Sequence, residues 1–585
     1  MKKSSLNKGT LYASLKDYPL NTEDVPLKEY PRPNLRRASY LTLNGAWDYL
    51  ITTEEWVPTA FEKKIIVPYA VESVLSGVNH LLEPNEKIVY HKKVTIPLGF
   101  NRGRILLHFD GVDQEATVLI NGKKIGYHLG GYTKFTIELA NDLPSTFDLT
   151  VIVRDVSDTS YHSRGKQTLN TTGWFYTTSS GIYKPVWLES VPKDYVQDVR
   201  FYPDFDSKSV DFIVGSNVDT KAKVTILDKT YEVNTNTLSR VVLNKFYPWS
   251  PDNPYLYQVK IELNDDIVSS YFGVRKFEIK ESNGVKYTYL NNQRIFLTGL
   301  LDQGYYFLGN LTPRSYQDYE NDIDNAKSLG FNCLRVHIKT ENDYFYYYAD
   351  TKGMLLIQDF PNGGTKNSFF YTIFPRISTS FGTEKHLTYK RESRLDKEGR
   401  DEFEKEAKEY LNWFNNYPSI IIYTIFNEGW GEFDPSRIYH GLKNIEHYRL
   451  FDTASGWYDA DSDFYSIHTY SIPGKDRKDK QRRPFIISEA GGTSLKIDGH
   501  SFFKGFFGHG KVKDKKKLTR RYQDLYQKKL LPLIKKNGLN MIIYTELCDC
   551  EIEYNGLYTF DRKVLKLDAD LIRNINESLK KEVNA

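Results

Sequence analysis

The chain has 585 residues, of which 15% are aromatic, including 44 Tyr and 33 Phe. This length corresponds to roughly four domains, or to fewer if one of them is a large barrel. Lys and Arg number 79 and Asp and Glu number 75, so the formal net charge is +4. This balance provides no electrostatic attraction to nucleic acid or to a membrane surface, and we expect neither as a partner.

Cysteine usage and the apolar pattern favour a cytoplasmic protein. Residues 1–8 contain no apolar stretch typical of a secretory signal, and no apolar run long enough to span a membrane occurs. Three cysteines (Cys333, Cys548 and Cys550) are too few for a disulfide framework. Cys548 and Cys550 lack the second pair of a zinc site. We expect reduced thiols, no metal and no cofactor, and assembly into a homo-oligomer is left open.

Residues 1–192 are predicted to form an all-β domain. Short alternating runs at 104–109 and 116–120 are followed by Asn121-Gly122, and a further run lies at 147–153. An Asn-Gly pair between alternating apolar runs is the strongest short-range signal of a β-hairpin. The pattern predicts a sandwich or a jelly roll.

Residues 193–277 continue with strand patterns and no helical period. Runs at 210–214 and 222–227 precede a proline-rich corner at 248–254. About 85 residues of this kind predict a small Ig-like β-sandwich.

From residue 278 to 585 strand-like runs alternate with helical ones, which is typical of βα units. The spacing of apolar residues over 401–417 predicts a helix with one apolar face, formed by Phe403, Ala407, Tyr410, Leu411 and Phe414. Further strands are predicted at 331–337, 354–359 and 540–546. About 300 residues suffice for eight units, so we expect a carboxyl-terminal (β/α)₈ TIM barrel.

Two glutamates, Glu428 and Glu489, each follow a short apolar, β-branched run, at 419–426 and 484–488. Such runs fit strands buried on both faces, and residues at the carboxyl ends of barrel strands line the catalytic mouth. Hydrolysis of a glycosidic bond needs one carboxyl group as an acid and another as a nucleophile or base. The pattern predicts a glycosidase. The alternative is that Glu428 only stabilises the amino end of the next helix through its charge.

Six further motifs lie at 43–49, 130–135, 180–189, 272–275, 334–337 and 426–430. With them the chain resembles glycoside hydrolase family 2, the family of β-galactosidases, β-glucuronidases and β-mannosidases, over nearly its whole length. The resemblance implies a sugar-binding jelly roll, an Ig-like sandwich and a catalytic barrel, in agreement with the three parts predicted above.

The resemblance also implies roles for four residues. Glu428, which follows Asn427, corresponds to the acid/base of the family, and Glu489 corresponds to its nucleophile. Asn427 corresponds to the residue that hydrogen-bonds the sugar 2-hydroxyl, and Tyr470 to the tyrosine that contacts the nucleophile. The family retains the anomeric configuration by double displacement, which places the two carboxyl groups about 5–5.5 Å apart.

Other candidates for sugar binding stand at or after predicted strand ends. Asp302 lies where many family members carry an Arg-His-Glu-containing segment, and Trp430 offers a stacking ring. His337 could instead be structural, and Glu546 could pair with an arginine of the barrel. The complete set is Asp302, Arg335, His337, Trp430, His468, Tyr544 and Glu546.

The sugar itself is less strongly indicated. Glucuronidases of the family carry an Asn-x-Lys element where this chain has Glu553-Tyr554-Asn555, which argues against a uronate. A basic loop at 475–483 argues weakly in the other direction. We expect an exo-acting enzyme of the β-galactosidase type, with a β-glucuronidase, another uronidase or an arabinosidase of the same family as the alternative. A non-catalytic carbohydrate-binding protein and a glycosyl-transferring enzyme are further alternatives.

Overall fold

A computed structural model describes residues 10–13, 18, 21–56, 58, 60–171, 173–365, 384, 387–470, 479 and 481–584. Residues 1–8 and most of the basic loop at 475–483, on which two of the predictions rest, lie outside these ranges. Within them the predicted architecture is confirmed, since two antiparallel β-sandwiches precede an eight-stranded parallel barrel. No helix in this part of the chain is long and apolar enough to cross a membrane.

The first sandwich is a jelly roll that follows the short helix α1 (Thr10–Ala13). Its strands are β1 (Tyr40–Thr42), β2 (Gly45–Thr52), β3 (Lys63–Val67), β4 (Lys87–Thr95), β5 (Arg104–Phe109), β6 (Val112–Asp113), β7 (Glu115–Ile120), β8 (Lys123–Leu129), β9 (Phe135–Glu138), β10 (Thr146–Arg154), β11 (Gln167–Thr168), β12 (Tyr176–Thr177), β13 (Gly181–Ile182) and β14 (Val186–Val191). The two main sheets have the orders β1-β14-β5-β9 and β3-β2-β4-β10-β7-β8.

The predicted hairpin at Asn121-Gly122 is confirmed. Both residues have positive φ angles, +48° and +79°, as a tight two-residue turn requires. Strands β7 and β8 pair antiparallel on either side of this turn. Along β7 alternate side chains are buried between the two sheets, because successive side chains of a strand point to opposite faces.

The second sandwich is Ig-like. Its strands are β15 (Val196–Asp204), β16 (Ser209–Ser216), β17 (Lys221–Ile226), β18 (Lys229–Asn234), β19 (Ser239–Val242), β20 (Tyr257–Leu263) and β21 (Asp266–Phe272). They form the sheets β15-β16-β19 and β18-β17-β20-β21, which enclose one apolar core. The predicted domain boundaries at residues 192 and 277 stay predictions.

A small antiparallel sheet that the sequence analysis did not predict precedes the barrel. It consists of β22 (Phe277–Ser282), β23 (Val285–Leu290) and β24 (Gln293–Arg294). Phe277 and Leu290 belong to the same apolar cluster as Leu297, Leu355 and Met541 from the amino-terminal ends of barrel strands. The sheet therefore covers the end of the barrel opposite the mouth.

The barrel strands are β25 (Leu297–Asp302), β26 (Cys333–Val336), β27 (Leu355–Asp359), β28 (Ile420–Asn427), β29 (Leu450–Ser455), β30 (Tyr465–Thr469), β31 (Phe485–Gly491) and β32 (Leu539–Thr545). They pair in parallel in the order β29-β28-β27-β26-β25-β32-β31-β30. The remaining junction, between β29 and β30, is bridged by side chains, since Ser466 Oγ donates to Asp452 Oδ2 at 3.0 Å.

The barrel helices are α2 (Tyr316–Ser328), α3 (Asp343–Lys352), α4 (Lys397–Phe414), α5 (Pro435–Lys443), α6 (Lys515–Gln523), α7 (Leu531–Asn537) and α8 (Ala569–Asn584), with a π-helical turn at Asp524–Leu530. Helix α4 buries the apolar face predicted for 401–417 but ends four residues before Pro418. Residues 456–464 join β29 to β30 through turns without a helix.

The jelly roll contributes a loop to the mouth of the barrel. The backbone amide of Arg164 donates to Asn362 O at 2.8 Å, and the Tyr176 hydroxyl donates to Glu553. Nearby, Lys134 pairs with Asp343 at 2.6 Å. The contacts of Arg164 and Tyr176 fix residues 164–171 and 173–176 beside the carboxyl ends of the barrel strands.

Candidate active site

Glu428 lies directly after β28, where the chain turns out of the barrel wall. Its backbone has φ +54°, and its amide donates to Ser455 O at 2.8 Å. The following Gly429 has φ +77°, and a Cβ atom there would lie 2.2 Å from the Tyr458 ring. A larger residue would therefore clash, so the turn that directs Glu428 toward the cavity depends on glycine.

Glu489 lies on β31, and its side chain faces Glu428. The Tyr470 hydroxyl bridges the two, at 2.9 Å from Glu428 Oε1 and 2.5 Å from Glu489 Oε2. One oxygen of each carboxylate and one nitrogen of His468 all lie within 4.8 Å of one another. The Tyr470 ring stacks on His509 with 3.5 Å between centroids, which holds the hydroxyl in this position.

Arg335 lies beneath Glu489 and is fully buried. It donates to Glu489 Oε1 at 3.3 Å, to Asn427 Oδ1 at 2.8 Å and to Asp359 at 3.0 Å. Because the Asn427 oxygen is engaged by Arg335, the amide NH₂ group is left to donate toward the cavity. His337 Nδ1 lies 2.7 Å from Asp359 Oδ2, so Nδ1 carries the proton and Nε2 can accept one from a hydroxyl.

The pKa values of both glutamates are lowered. Burial alone would raise the pKa of Glu428. The hydrogen bond and the charge of His468, together with the hydrogen bond from Tyr470, outweigh this effect and lower the pKa of Glu428 to about 2. Burial also raises the pKa of Glu489, but His468 and Arg335 act against burial and the pKa is lowered overall. The pKa of His337 falls to about 4 through burial, so this ring is neutral. Both carboxylates are therefore ionised in the free site.

A cavity opens above the two glutamates. Four of the other predicted residues line it, namely Asn427, His337, Trp430 and Tyr470. Arg335 and His468 lie directly behind the glutamates rather than on the wall. The Trp430 ring stacks beside Arg164, whose guanidinium lies 5.1 Å from its centroid.

Three predicted residues are not brought to the cavity wall. Asp302 is turned back into its own loop, where it accepts from Gly304 N at 2.9 Å and faces Lys339 at 3.3 Å. Tyr544 packs outward against Tyr522 of α6 with 5.1 Å between ring centroids. Glu546 is fully buried beyond the wall, and neither of its oxygens has a hydrogen-bond partner among the described residues.

The wall also contains ten residues that were not among the predicted site residues, although Glu553 was noted in the sequence as standing where glucuronidases carry their Asn-x-Lys element. They are Lys166, Trp174, Phe175, Leu301, Gln303, Ile338, Trp457, His509, Thr545 and Glu553. Gln303 and Thr545 are sequence neighbours of predicted residues, so strand-end position was a usable signal for them. Lys166 and Trp174 come from the jelly roll, and no local pattern indicates that this loop reaches the barrel.

Glu428, His468 and Glu489 are the one group of His, Cys, Asp and Glu side chains in the described ranges whose atoms could converge on an ion. Mg²⁺ prefers six oxygen ligands in octahedral geometry. Here one of the three atoms is an imidazole nitrogen, and the carboxylates already accept from Tyr470 and Arg335. The group does not fit magnesium, and we assign no metal to it.

Comparisons with known proteins agree with this arrangement. The model of the family "Glycosyl hydrolases family 2" matches residues 195–275. A putative β-glucuronidase of Formosa agariphila is 24% identical over 69% of this chain and 50% of that protein. A β-galactosidase of Thermoanaerobacter pseudethanolicus is 25% identical over 46% of this chain and 39% of that protein. The chain thus spans half or less of the length of these two relatives.

Among solved structures, a Ruminococcus gnavus β-glucuronidase superposes with a TM-score of 0.73 at 16% identity, over 94% of this chain and 99% of that one. At this identity the likeness shows the fold. The family model, the curated relatives and the shared architecture agree with one another. The chain is thus similar to glycoside hydrolase family 2, whose model matches its residues 195–275.

Proposed function

We propose that the protein is a retaining exo-β-glycosidase that uses Glu489 as nucleophile and Glu428 as acid/base. The observation that carries the proposal is the spacing of the two carboxylates, whose facing atoms lie within 4.8 Å and share the Tyr470 hydroxyl. Retaining enzymes need their carboxyl groups about 5–5.5 Å apart, whereas inverting enzymes need about 6.5–9.5 Å to admit a water molecule. The close spacing supports double displacement.

The environments of the two groups suit different roles. Glu489 is 5% exposed, ionised, and oriented by Arg335 and Tyr470, which suits attack on the anomeric carbon. The side chain of Glu428 is 28% exposed and faces the open cavity, where a leaving group would depart. Asn427 can donate to the sugar 2-hydroxyl, a hydrogen bond that strengthens in the oxocarbenium-like transition state.

Glu428→Ala tests this assignment. We expect kcat/KM on an unactivated glycoside to fall by about 10²–10⁴-fold, because the leaving oxygen loses its proton donor. A dinitrophenyl glycoside, whose leaving group needs no proton, should react but stall at the covalent intermediate. Added azide should then restore turnover and yield a glycosyl azide of retained configuration, identified by NMR. An azide product of inverted configuration would contradict the double displacement.

For the sugar, a β-galactoside is the first candidate. Glu553 lies on the cavity wall and accepts hydrogen bonds from Tyr176 and Asn555. A carboxyl group at this position would repel a uronate but accept a hydrogen bond from a hydroxyl group of a neutral hexose. Several curated relatives are β-galactosidases. A panel of aryl β-glycosides that pairs each hexoside with its uronide measures this preference directly.

A β-uronide is the second candidate, because of Lys166. This lysine lines the cavity from the jelly roll, and its ammonium lies 5.8 Å from the Tyr176 ring centroid. The ammonium forms no hydrogen bond or ion pair with any residue in the described ranges. Burial raises the pKa values of Glu428 and Glu553, and the positive charge of Lys166 acts on both in the opposite direction. A free cation in a sugar pocket could pair with a sugar carboxylate.

Lys166→Met separates the two candidates. If the substrate is a uronide, kcat/KM for the aryl uronide should fall by about 10–100-fold, since a charge-assisted hydrogen bond contributes about 1.5–3 kcal/mol. The value for the matching neutral hexoside should stay within about twofold. Lys511→Met, at an exposed lysine outside the cavity, is the matched control. An equal fall for both sugars would remove Lys166 as a charge-selecting residue.

A further inference from the structure

His468 occupies a position between the two glutamates that the proposed mechanism leaves unused. Its Nδ1 lies 2.7 Å from Glu428 Oε1, and its Nε2 lies 3.8 Å from Glu489 Oε1 and 3.2 Å from Ser455 Oγ. The side chain is fully buried, so it does not touch a substrate in the cavity. His468 therefore acts on the reaction through the groups that it contacts, of which Glu428 is the nearest.

The packing around His468 leaves the ring little freedom. A Cβ atom at Gly456 would lie 2.7 Å from Nδ1, and the Trp457 ring packs edge-on at 5.4 Å between centroids. Ser455 Oγ in turn donates to Ser488 Oγ at 2.8 Å. The ring therefore keeps Nδ1 directed at the Glu428 carboxylate, within normal hydrogen-bond distance.

The charges around His468 are mostly negative. Glu428, Glu489 and Asp452 face it from three different strands or strand ends, and the Tyr470 hydroxyl lies 3.5 Å from Nδ1. Arg335, beneath Glu489, is the facing cation. Two carboxylates this close repel each other, and a proton on the imidazole between them offsets that repulsion. The 2.7 Å hydrogen bond between Nδ1 and Glu428 Oε1 therefore offers a path along which a proton can pass between the two groups.

We propose that His468 is a positioning residue that holds the proton which Glu428 delivers to the leaving group and later takes back from water. The inference rests on the proposed function. It adds the location of the acid's proton in the free enzyme. It accounts for an acid/base glutamate that is ionised in the free site.

In glycosylation, the Nδ1 proton moves to Glu428, the Glu428 proton moves to the glycosidic oxygen, the bond from the anomeric carbon to that oxygen breaks, and Glu489 forms an ester with the sugar. The alcohol leaves and His468 is neutral. In hydrolysis, water attacks the anomeric carbon, its proton passes through Glu428 to Nδ1, and Glu489 departs as a carboxylate. The enzyme returns to its initial protonation state.

His468→Asn tests the proposal, because asparagine keeps a hydrogen-bond donor but cannot hold a titratable proton. We expect kcat/KM for a methyl or phenyl glycoside to fall by about 10²-fold or more near neutral pH. For the dinitrophenyl glycoside of the same sugar, kcat/KM should change by less than about threefold, because glycosylation then needs no acid. kcat/KM reports only glycosylation, so the base step does not enter the comparison.

The pH dependence gives a second readout. Without His468 the Glu428 carboxyl loses the group that lowers its pKa most, so it can take a proton from mildly acidic solvent. The ratio of the parent kcat/KM to that of His468→Asn on the methyl glycoside should therefore shrink as the pH is lowered from about 7 to about 5. His468→Gln, which also lacks the titratable proton, should behave in the same way.

The activities of His468→Asn on the two substrates can overturn the proposed role of His468. Equal losses on both substrates at every pH would show a structural role and overturn the proposal, as would unchanged activity on both. His440→Asn, an exposed histidine on α5, is the control and should leave both rates unchanged. If Glu428→Gln and Glu489→Gln lose activity while His468→Asn does not, this inference fails and the proposed function stands.

Discussion

Glutamine in place of Glu489 is expected to lower kcat by about 10⁴-fold or more, because an amide cannot attack the anomeric carbon. The substitution keeps the shape of the side chain, and the single amide oxygen can still accept from one of the two donors, Tyr470 or Arg335, that bond the carboxylate. The barrel should therefore stay folded, with a thermal midpoint close to that of the parent. Steady-state kinetics and circular dichroism measure the two quantities separately.

A covalent trap identifies the nucleophile independently of the activity loss. A 2-fluoro sugar with a good leaving group should label the parent enzyme with one sugar, carried by the peptide that contains Glu489, whereas the Glu489→Gln variant should remain unlabelled. Glu409→Gln, on the surface of α4, serves as the matched control and should be labelled and active. Labelling of a different carboxylate would contradict the assignment even if Glu489→Gln is inactive.

The parts of the fold that could be predicted are those governed by local pattern. Alternating runs and the Asn121-Gly122 turn predicted the hairpin, and the β-branched runs before Glu428 and Glu489 predicted two barrel strands. Strand direction then implied that both glutamates reach the same end of the barrel, since parallel strands share that end. The spacing of the carboxylates needed the structure, because register shifts occur at β31.

Two physical reasons explain why some residues of the site could not be predicted from the sequence. Barrel strands are buried on both faces, so hydrophobicity does not indicate which side chains point inward. Tyr544 and Thr545 are consecutive on β32 and face opposite sides, which is why Thr545 rather than Tyr544 reaches the cavity. Lys166 reaches the cavity only through docking of the jelly roll onto the barrel, which no local pattern encodes.

Replacement of Arg335 by methionine is the second prediction with a large effect, and it acts on stability as well as activity. The guanidinium is fully buried and donates hydrogen bonds to Asp359, Glu489 and Asn427. Without it two buried carboxylates keep their charge and lose their cation, which costs about 3–5 kcal/mol of unfolding free energy. Activity should also fall, because Glu489 and Asn427 lose the group that orients them.

The pH dependence distinguishes this electrostatic cost from a loss of packing. Burial raises the pKa values of Asp359 and Glu489, but Arg335 and the neighbouring imidazoles outweigh it, so both are lowered in the folded protein. Carboxylates of this kind stabilise the fold above their unfolded pKa, and that stability is lost as the pH falls through the folded pKa. The difference in urea midpoint between parent and Arg335→Met should thus be largest near neutral pH and shrink below about pH 4.

The double variant Arg335→Met, Asp359→Asn tests whether the lost stability comes from the uncompensated charge of Asp359. Removal of the Asp359 charge eliminates one of the two uncompensated carboxylates, so the double variant should be more stable than Arg335→Met alone near neutral pH. A packing defect at position 335 would instead persist at every pH and would not be relieved by Asp359→Asn. Recovery of stability without recovery of turnover is the expected pattern, because asparagine at 359 restores no cation beside Glu489.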